Sequence, residues 1–131
     1  MERTPEAAAT ALLAAVEAND IAQVTDLYAD DLVIWHSFSG QTQSRSDNLA
    51  LLATFPTRGK YRYHVHDRIM SGPKVVQRHR LTVTSHDGAR TASLEAVMFL
   101  EVHAGKITAI HEYIDGAEVK NLRATMSAPG R

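Results

Sequence analysis

The sequence contains no cysteine, carries almost no net charge and has no long apolar run, and each lack excludes a class of protein. Without cysteine the chain forms no disulfide, offers no thiolate nucleophile and builds no thiolate metal site. A formal charge of −1 at pH 7 gives no electrostatic basis for binding nucleic acid or an anionic membrane. We therefore expect the partner to be a small molecule or a second copy of the chain.

The most apolar stretch, AAATALLAAVEA, is interrupted by Glu17 and is shorter than the ~18 residues of a membrane span. The opening residues, MERTPE, lack the apolar core of a secretory signal. We accordingly expect no membrane partner and a cytoplasmic location. The 131 residues suffice for one domain, and we predict a core over about 5–120 followed by a flexible tail over 121–131.

Helix signals are concentrated in the first part of the chain. Thr4, Pro5 and Glu6 form an N-cap, a first-turn proline and an acid that complements the helix dipole, which predicts a helix to about residue 18. Asp20 caps a second predicted helix at about 21–29, and a serine before the apolar positions of SRSDNLALLATF predicts a third at about 45–55. These three helices precede most of the strand signals.

Strand signals dominate the rest of the chain, where the apolar pattern changes to a period of two. Strands are predicted at about 30–36, 60–70, 74–85, 91–103 and 106–115, with the last four joined by the turns SGP, HDG and HAG. The order predicts an α+β fold: about three N-terminal helices packed on a curved, mostly antiparallel sheet of about five strands.

Alternation along the strands also assigns side chains to the two faces of the sheet. The inner face is predicted to be apolar apart from Asp67, Gln77, His79 and Glu112. A buried polar group without a partner costs roughly 1–3 kcal/mol, so each of these requires a partner or a function. The outer face combines arginines and glutamates with the apolar residues Val97, Phe99 and Tyr113. That composition favours a homodimer through the sheet face.

Two segments carry a family resemblance: DIAQVTDLYADDLVIWH at 20–36 and FLEVHAGKITAIHEYID at 99–115. Together with the order of elements, they resemble the SnoaL-like polyketide cyclases. That family lies in the nuclear transport factor 2-like superfamily, with the ketosteroid isomerases and limonene-1,2-epoxide hydrolases. The resemblance implies a cone-shaped fold with a pocket between the helices and the concave sheet face. Enzymes, binders and dimerisation modules all use this fold.

By this resemblance, His36 takes the position of the proton-shuttling aspartate of the isomerases and of a water-holding asparagine of the epoxide hydrolases. Glu112 takes the position of a catalytic aspartate of the cyclases and hydrolases. Leu12 and Met98 stand where the isomerases have an oxyanion-hole tyrosine and a protonated acid, which argues against steroid isomerisation. The hydrolases' arginine between two aspartates is also missing, with His79 in that region.

The residue chemistry is consistent with a proton-transfer site. An imidazole titrates near neutral pH. A carboxylate in an apolar pocket has a raised pKa, or it orients an imidazole beside it. The structural alternatives are a backbone hydrogen bond for His36, and pairing of Glu112 with Gln77 or His79. We predict His36, Glu112 and His79 as catalytic residues. The predicted substrate-binding residues are Tyr28, Trp35, Phe38, Tyr63, Met98 and Ile110.

Two imidazoles in HVH at 64–66 share one strand face, a geometry that can bind a metal. Arginines flank them, however, and we predict neither a metal nor a cofactor. The sequence thus predicts a cofactor-independent isomerase, cyclase or hydrolase that applies general acid–base chemistry to a small, hydrophobic, oxygenated molecule. The alternative is a non-catalytic module of the same fold that binds a hydrophobic ligand or dimerises.

Overall fold

The computed structural model describes residues 2–127. Within that range the helices are α1 (Pro5–Glu17), α2 (Ile21–Leu27), α3 (Arg45–Leu52), α4 (Phe55–Arg58) and α5 (Gly116–Ser127). The strands are β1 (Tyr28–His36), β2 (Thr42–Ser44), β3 (Lys60–Ser71), β4 (Lys74–Thr84), β5 (Thr91–His103) and β6 (Lys106–Ile114). None of the helices in this range has the length and apolar composition needed to cross a membrane.

Local hydrogen bonds explain where the first helices begin. The Thr4 side chain accepts a hydrogen bond from the backbone N–H of Ala7, and Pro5 occupies the first turn of α1. The Asp20 carboxylate accepts from the N–H of Gln23 at the start of α2. A serine and an aspartate form a complete capping box at α3. The sequence signals for these three N-termini are therefore confirmed.

The strands form one curved sheet in the order β2-β1-β6-β5-β4-β3. β1 and β6 are parallel, and every other neighbouring pair is antiparallel. Helix α1 packs on β3, β4 and β5, and α3 packs on β1. The helices and the inner sheet face enclose the main apolar core, as the predicted α+β architecture requires.

The predicted inner faces of β4, β5 and β6 are confirmed. Val75, Gln77, His79 and Val83 are buried on β4, and the even positions from 92 to 102 are buried on β5. The outer-face glutamate of β5 bonds across strands, as expected, with Glu95 accepting from Arg80 Nε at 2.7 Å.

Strand β3 departs from the prediction because a bulge interrupts its pairing with β4 between Val65 and Asp67. The extra residue reverses the alternation. Asp67, expected inside, is exposed and accepts a hydrogen bond from Arg78 Nε at 2.9 Å. Arg68, expected outside, bonds to Gln77, an inner-face residue of β4. No glycine marks this bulge in the sequence.

The numbers of elements also differ from the prediction. Strand β2, three residues long, is too short to show alternation, and it pairs with β1 at the sheet edge. Helix α4 is a single turn, separate from α3. Residues 121–127, expected in a flexible tail, belong to α5, whose Val119 and Leu122 pack on Leu94 and Ala96 of β5. Residues 128–131 of the predicted tail lie outside the described residues.

Candidate functional site

A cavity of about 200 Å³ opens between the helices and the inner face of the sheet. Its lining is largely apolar, with contributions from helices α1, α3, α4 and α5 and from the sheet. An apolar cavity of ~150 Å³ is enough to bind benzene. The cavity therefore has room for a ligand with at least one ring, and the few polar groups in its wall determine what chemistry it can perform.

His36 and Glu112 are brought together by the parallel pairing of β1 and β6. The two residues are direct register partners, so their side chains leave the sheet side by side on the inner face. His36 Nε2 lies 3.3 Å from Glu112 Oε1, and the side chains are only 16% and 20% exposed. Both line the cavity. The sequence prediction that they share one pocket is consistent with this geometry.

The end of β1 is fixed where it carries His36. The N–H of Ser37 donates to the carbonyl of Glu112 at 2.9 Å, and Ser37 Oγ donates to the carbonyl of Ile114. The Phe38 ring then packs against the His36 ring with their centres 5.3 Å apart. These contacts hold the imidazole against the carboxylate, and no backbone carbonyl in the described part of the chain accepts a hydrogen bond from it.

His79 lies behind the carboxylate, in the sheet rather than in the cavity wall. It is 1% exposed, and its Nε2 lies 3.7 Å from Glu112 Oε2. That distance is too long for a hydrogen bond, and within residues 2–127 this nitrogen has no hydrogen-bond partner. Glu112 therefore stands between two imidazoles, one facing each oxygen.

A chain of hydrogen bonds fixes the tautomer of His79. Arg68 Nε can only donate, so the Gln77 oxygen faces it at 2.9 Å and the Gln77 amide nitrogen faces His79 Nδ1, also at 2.9 Å. The amide nitrogen donates as well, which makes Nδ1 the acceptor. Burial lowers the pKa of His79 below its usual 6.5, and the neutral ring consequently carries its proton on Nε2, toward Glu112.

Two tyrosines contribute hydroxyl groups to the cavity region. Tyr28 donates from its hydroxyl to Asn48 Oδ1 at 2.8 Å, and the Asn48 amide donates to Gln43. The Tyr63 hydroxyl forms no hydrogen bond to any residue from 2 to 127. Burial, and then the charge of Glu112, raise the pKa of both phenols, so both remain protonated donors.

Of the residues predicted to bind substrate, all but one line the cavity: Tyr28, Phe38, Tyr63, Met98 and Ile110. Trp35 is the exception and is corrected here. It follows Ile34 and precedes His36, so alternation directs it to the opposite face of the sheet. There its ring lies 5.2 Å from the Tyr113 ring and 6.0 Å from the His111 ring.

Sequence reasoning missed several residues of the wall, among them Asn48 and two arginines. Arg58 comes from α4 and Arg123 from α5, and neither element was predicted. A polar asparagine inside the apolar pattern of α3 was the signal that could have identified Asn48.

No cluster of three or more potential metal-binding side chains occurs in the described part of the chain, and His66 of the HVH motif bonds to Glu95.

Comparison with known families matches the chain, over residues 9–110, to the model of the SnoaL-like domain. The match covers well over half of the sequence. Comparison with the curated proteins found no match.

Solved structures with similar folds include an epoxide hydrolase and proteins of unknown function. TerC, co-crystallised with polyporic acid, is 25% identical, with 90% of this chain and 96% of that chain covered and a TM-score of 0.75. An LEH-like epoxide hydrolase of M. tuberculosis is 21% identical, with coverages of 91% and 89% and a TM-score of 0.75. An NTF2-like protein of Burkholderia pseudomallei is 22% identical, with coverages of 95% and 98% and a TM-score of 0.77. At these identities the last two show a shared fold alone.

Proposed function

The chain belongs to the SnoaL-like domain family, and from that premise we propose that it is a cofactor-independent enzyme that moves protons on a small, hydrophobic, oxygenated molecule. The observation that carries the proposal is the approach of His36 Nε2 to Glu112 Oε1, 3.3 Å apart in the wall of an apolar cavity. Isomerisation, cyclisation and hydration can each be catalysed by such a pair, which removes a proton from carbon or from water.

In the proposed step, His36 is the base. An ionised Glu112 attracts the ring proton to Nε2, so Nδ1 carries the lone pair that accepts a proton from the ligand or from water. The imidazolium formed in this way is stabilised by the adjacent carboxylate. Return of the proton to another carbon of the ligand completes an isomerisation. When water or a ligand carbanion attacks an epoxide or carbonyl carbon, transfer of the proton to the ligand oxygen that gains negative charge completes a hydration or a cyclisation.

Two groups assist this step. His79 directs its Nε2–H toward Glu112 and makes a second favourable electrostatic contact with the carboxylate. It does not reach the cavity, and we assign it a positioning function. The Tyr63 hydroxyl, protonated and without a protein partner among residues 2–127, is available to donate to a ligand oxygen on which negative charge develops.

The outer face of the sheet supports a homodimer as part of the proposal. Phe99 and Tyr113 are exposed there, with ring centres 5.9 Å apart, and Trp35 extends the same aromatic cluster. Exposed aromatic clusters of this kind are typical of subunit interfaces. Light scattering should give the mass of a dimer for the wild type and of a monomer for the Phe99→Asp, Tyr113→Asp double variant.

The test of the enzymatic proposal needs no knowledge of the natural substrate. A panel of hydrophobic cyclic ketones is incubated with the protein in D₂O, epoxides are incubated in ¹⁸O water, and isotope incorporation is measured by mass spectrometry. We expect catalysed exchange or hydration that falls about 10²–10⁴-fold in His36→Asn and in Glu112→Gln. Glu95→Gln removes the same charge on the outer face and should keep the wild-type rate.

Two results would count against the proposal. Equal rates in the wild type and in both site variants would remove the function from His36 and Glu112. Ligand-induced thermal stabilisation with no isotope incorporation across the panel would support the non-catalytic binding module instead.

A further inference from the structure

Two arginines line the cavity where its wall reaches solvent. Arg58 ends the short helix α4 and Arg123 lies in the last helix, α5, and both side chains are exposed. Neither guanidinium group forms an ion pair or a hydrogen bond with any residue from 2 to 127. Two arginines of β4 differ: Arg78 and Arg80 each bond to a carboxylate.

The charges of the lining are therefore unbalanced. Among residues 2–127, Glu112 is the one acidic residue in the wall, and it lies between two imidazoles. The two guanidinium groups give the solvent-exposed part of the cavity a positive potential, which attracts an anion from solution. A guanidinium binds a carboxylate through paired hydrogen bonds.

A row of neighbouring side chains connects one arginine to the proposed base. The Arg123 guanidinium carbon lies 5.3 Å from the centre of the Phe38 ring, and that ring centre lies 5.3 Å from the centre of the His36 ring. The guanidinium and the imidazole are therefore separated by at most twice that distance. A ligand with a ring system one or two rings long would span this gap.

From these contacts we propose that the ligand is a hydrophobic carboxylate. Its acidic group binds Arg123 and Arg58, and its apolar body lies along Phe38 and presents the reacting atoms to His36. This inference rests on the proposed function, since it uses the same cavity, and it adds the chemical class of the ligand.

The test compares two ligands that differ only in charge. Binding of 2-naphthoate and of the neutral 2-naphthamide is measured by titration calorimetry with the full chain. We expect the wild type to bind the carboxylate at least tenfold more tightly than the amide. The preference should decrease in 0.5 M salt, because the arginines are exposed.

Variants assign the preference to the two arginines. In the Arg58→Met, Arg123→Met double variant the affinity ratio should fall to about one while the amide binds as before. Arg123→Lys, which keeps a positive charge, should retain part of the preference. Arg62→Met removes an equal charge from the outer side of β3 and should keep the full ratio.

Three results would overturn the assignment of ligand class: a wild-type ratio near one, a ratio unchanged in the double variant, or no saturable binding of either compound at millimolar concentration. The isotope assay separates this outcome from failure of the proposed function. Catalysed exchange that depends on His36 and Glu112, together with a ratio near one, would contradict only the carboxylate. A preserved ratio without any exchange would contradict only the enzyme.

Discussion

Replacement of Gln77 by leucine tests the hydrogen-bond chain behind the site. Gln77 is buried on β4, accepts from Arg68 Nε and donates to His79 Nδ1, each at 2.9 Å. Leucine has a similar size but can form neither bond. The half-buried Arg68 keeps its bond to Thr10, whereas the His79 imidazole loses its only hydrogen bond to a described residue.

The expected loss of stability follows from the acceptor that remains buried without a partner, Nδ1 of His79. An unpaired buried acceptor costs about 1–3 kcal/mol, and the lost bond to a charged guanidinium adds a smaller amount because that group is partly exposed. We expect unfolding free energy to fall by about 2 kcal/mol. For a domain of this size this corresponds to a decrease in melting temperature of roughly 5–10 °C. Gln41→Leu, at an exposed position, should change stability by no more than about 0.5 kcal/mol.

Two assays check this prediction. Urea denaturation gives the stability of Gln77→Leu and Gln41→Leu, and ¹⁵N NMR of the imidazoles reports which nitrogen of His79 carries the proton. The wild type should show a neutral ring protonated on Nε2, and Gln77→Leu should populate the other tautomer as well. A wild-type ring protonated on Nδ1, or a Gln77→Leu variant as stable as the wild type, would refute the hydrogen-bond chain.

Three further predictions concern stability. Gly59→Ala should have a melting temperature several degrees lower than Gly72→Ala. A Cβ at Gly59 would lie 2.4 Å from the carbonyl oxygen of Thr84, whereas the space around a Cβ at Gly72 is open. Equal melting temperatures of the two variants would contradict the predicted clash. Ser44→Ala should lose about 1 kcal/mol in urea denaturation through its α3 cap, and an unchanged midpoint would show that the cap contributes nothing. The pKa of His79 in the folded protein is below its unfolded value of 6.5, so the unfolded chain binds more protons than the folded protein as pH falls through 6.5, and the free energy of unfolding decreases. Between pH 7.5 and 5.5, His79→Leu should therefore lose less stability than the wild type. Parallel pH profiles of the two proteins would contradict the lowered pKa.

Side-chain alternation predicted the site well where the strands are regular. His79, Gln77 and Glu112 were assigned to the inner face of the sheet, and the structure places them there. The same rule, applied strictly, would also have placed Trp35 on the outer face, since it is the immediate neighbour of His36. The error at Trp35 came from treating aromatic residues beside a candidate base as part of its pocket.

Features set by tertiary contacts were not predictable from local sequence. The bulge after Val65 has no glycine to mark it, and it exchanged the faces of Asp67 and Arg68. Helix α5 shows a weak apolar stripe, and its contacts with the sheet include Val119 and Leu122 packed on β5. As a result the cavity arginine carried by α5 was missed, and with it the charge of the proposed ligand.

The central claim is that His36 and Glu112 act as one proton-transfer unit, and a double-mutant cycle tests it most directly. Isotope incorporation is measured for the wild type, His36→Asn, Glu112→Gln and the double variant with the best compound of the panel. If the two residues act as a unit, the double variant should be no slower than the slower single variant. Independent losses that multiply in the double variant, or a wild-type rate in either single variant, would contradict the account.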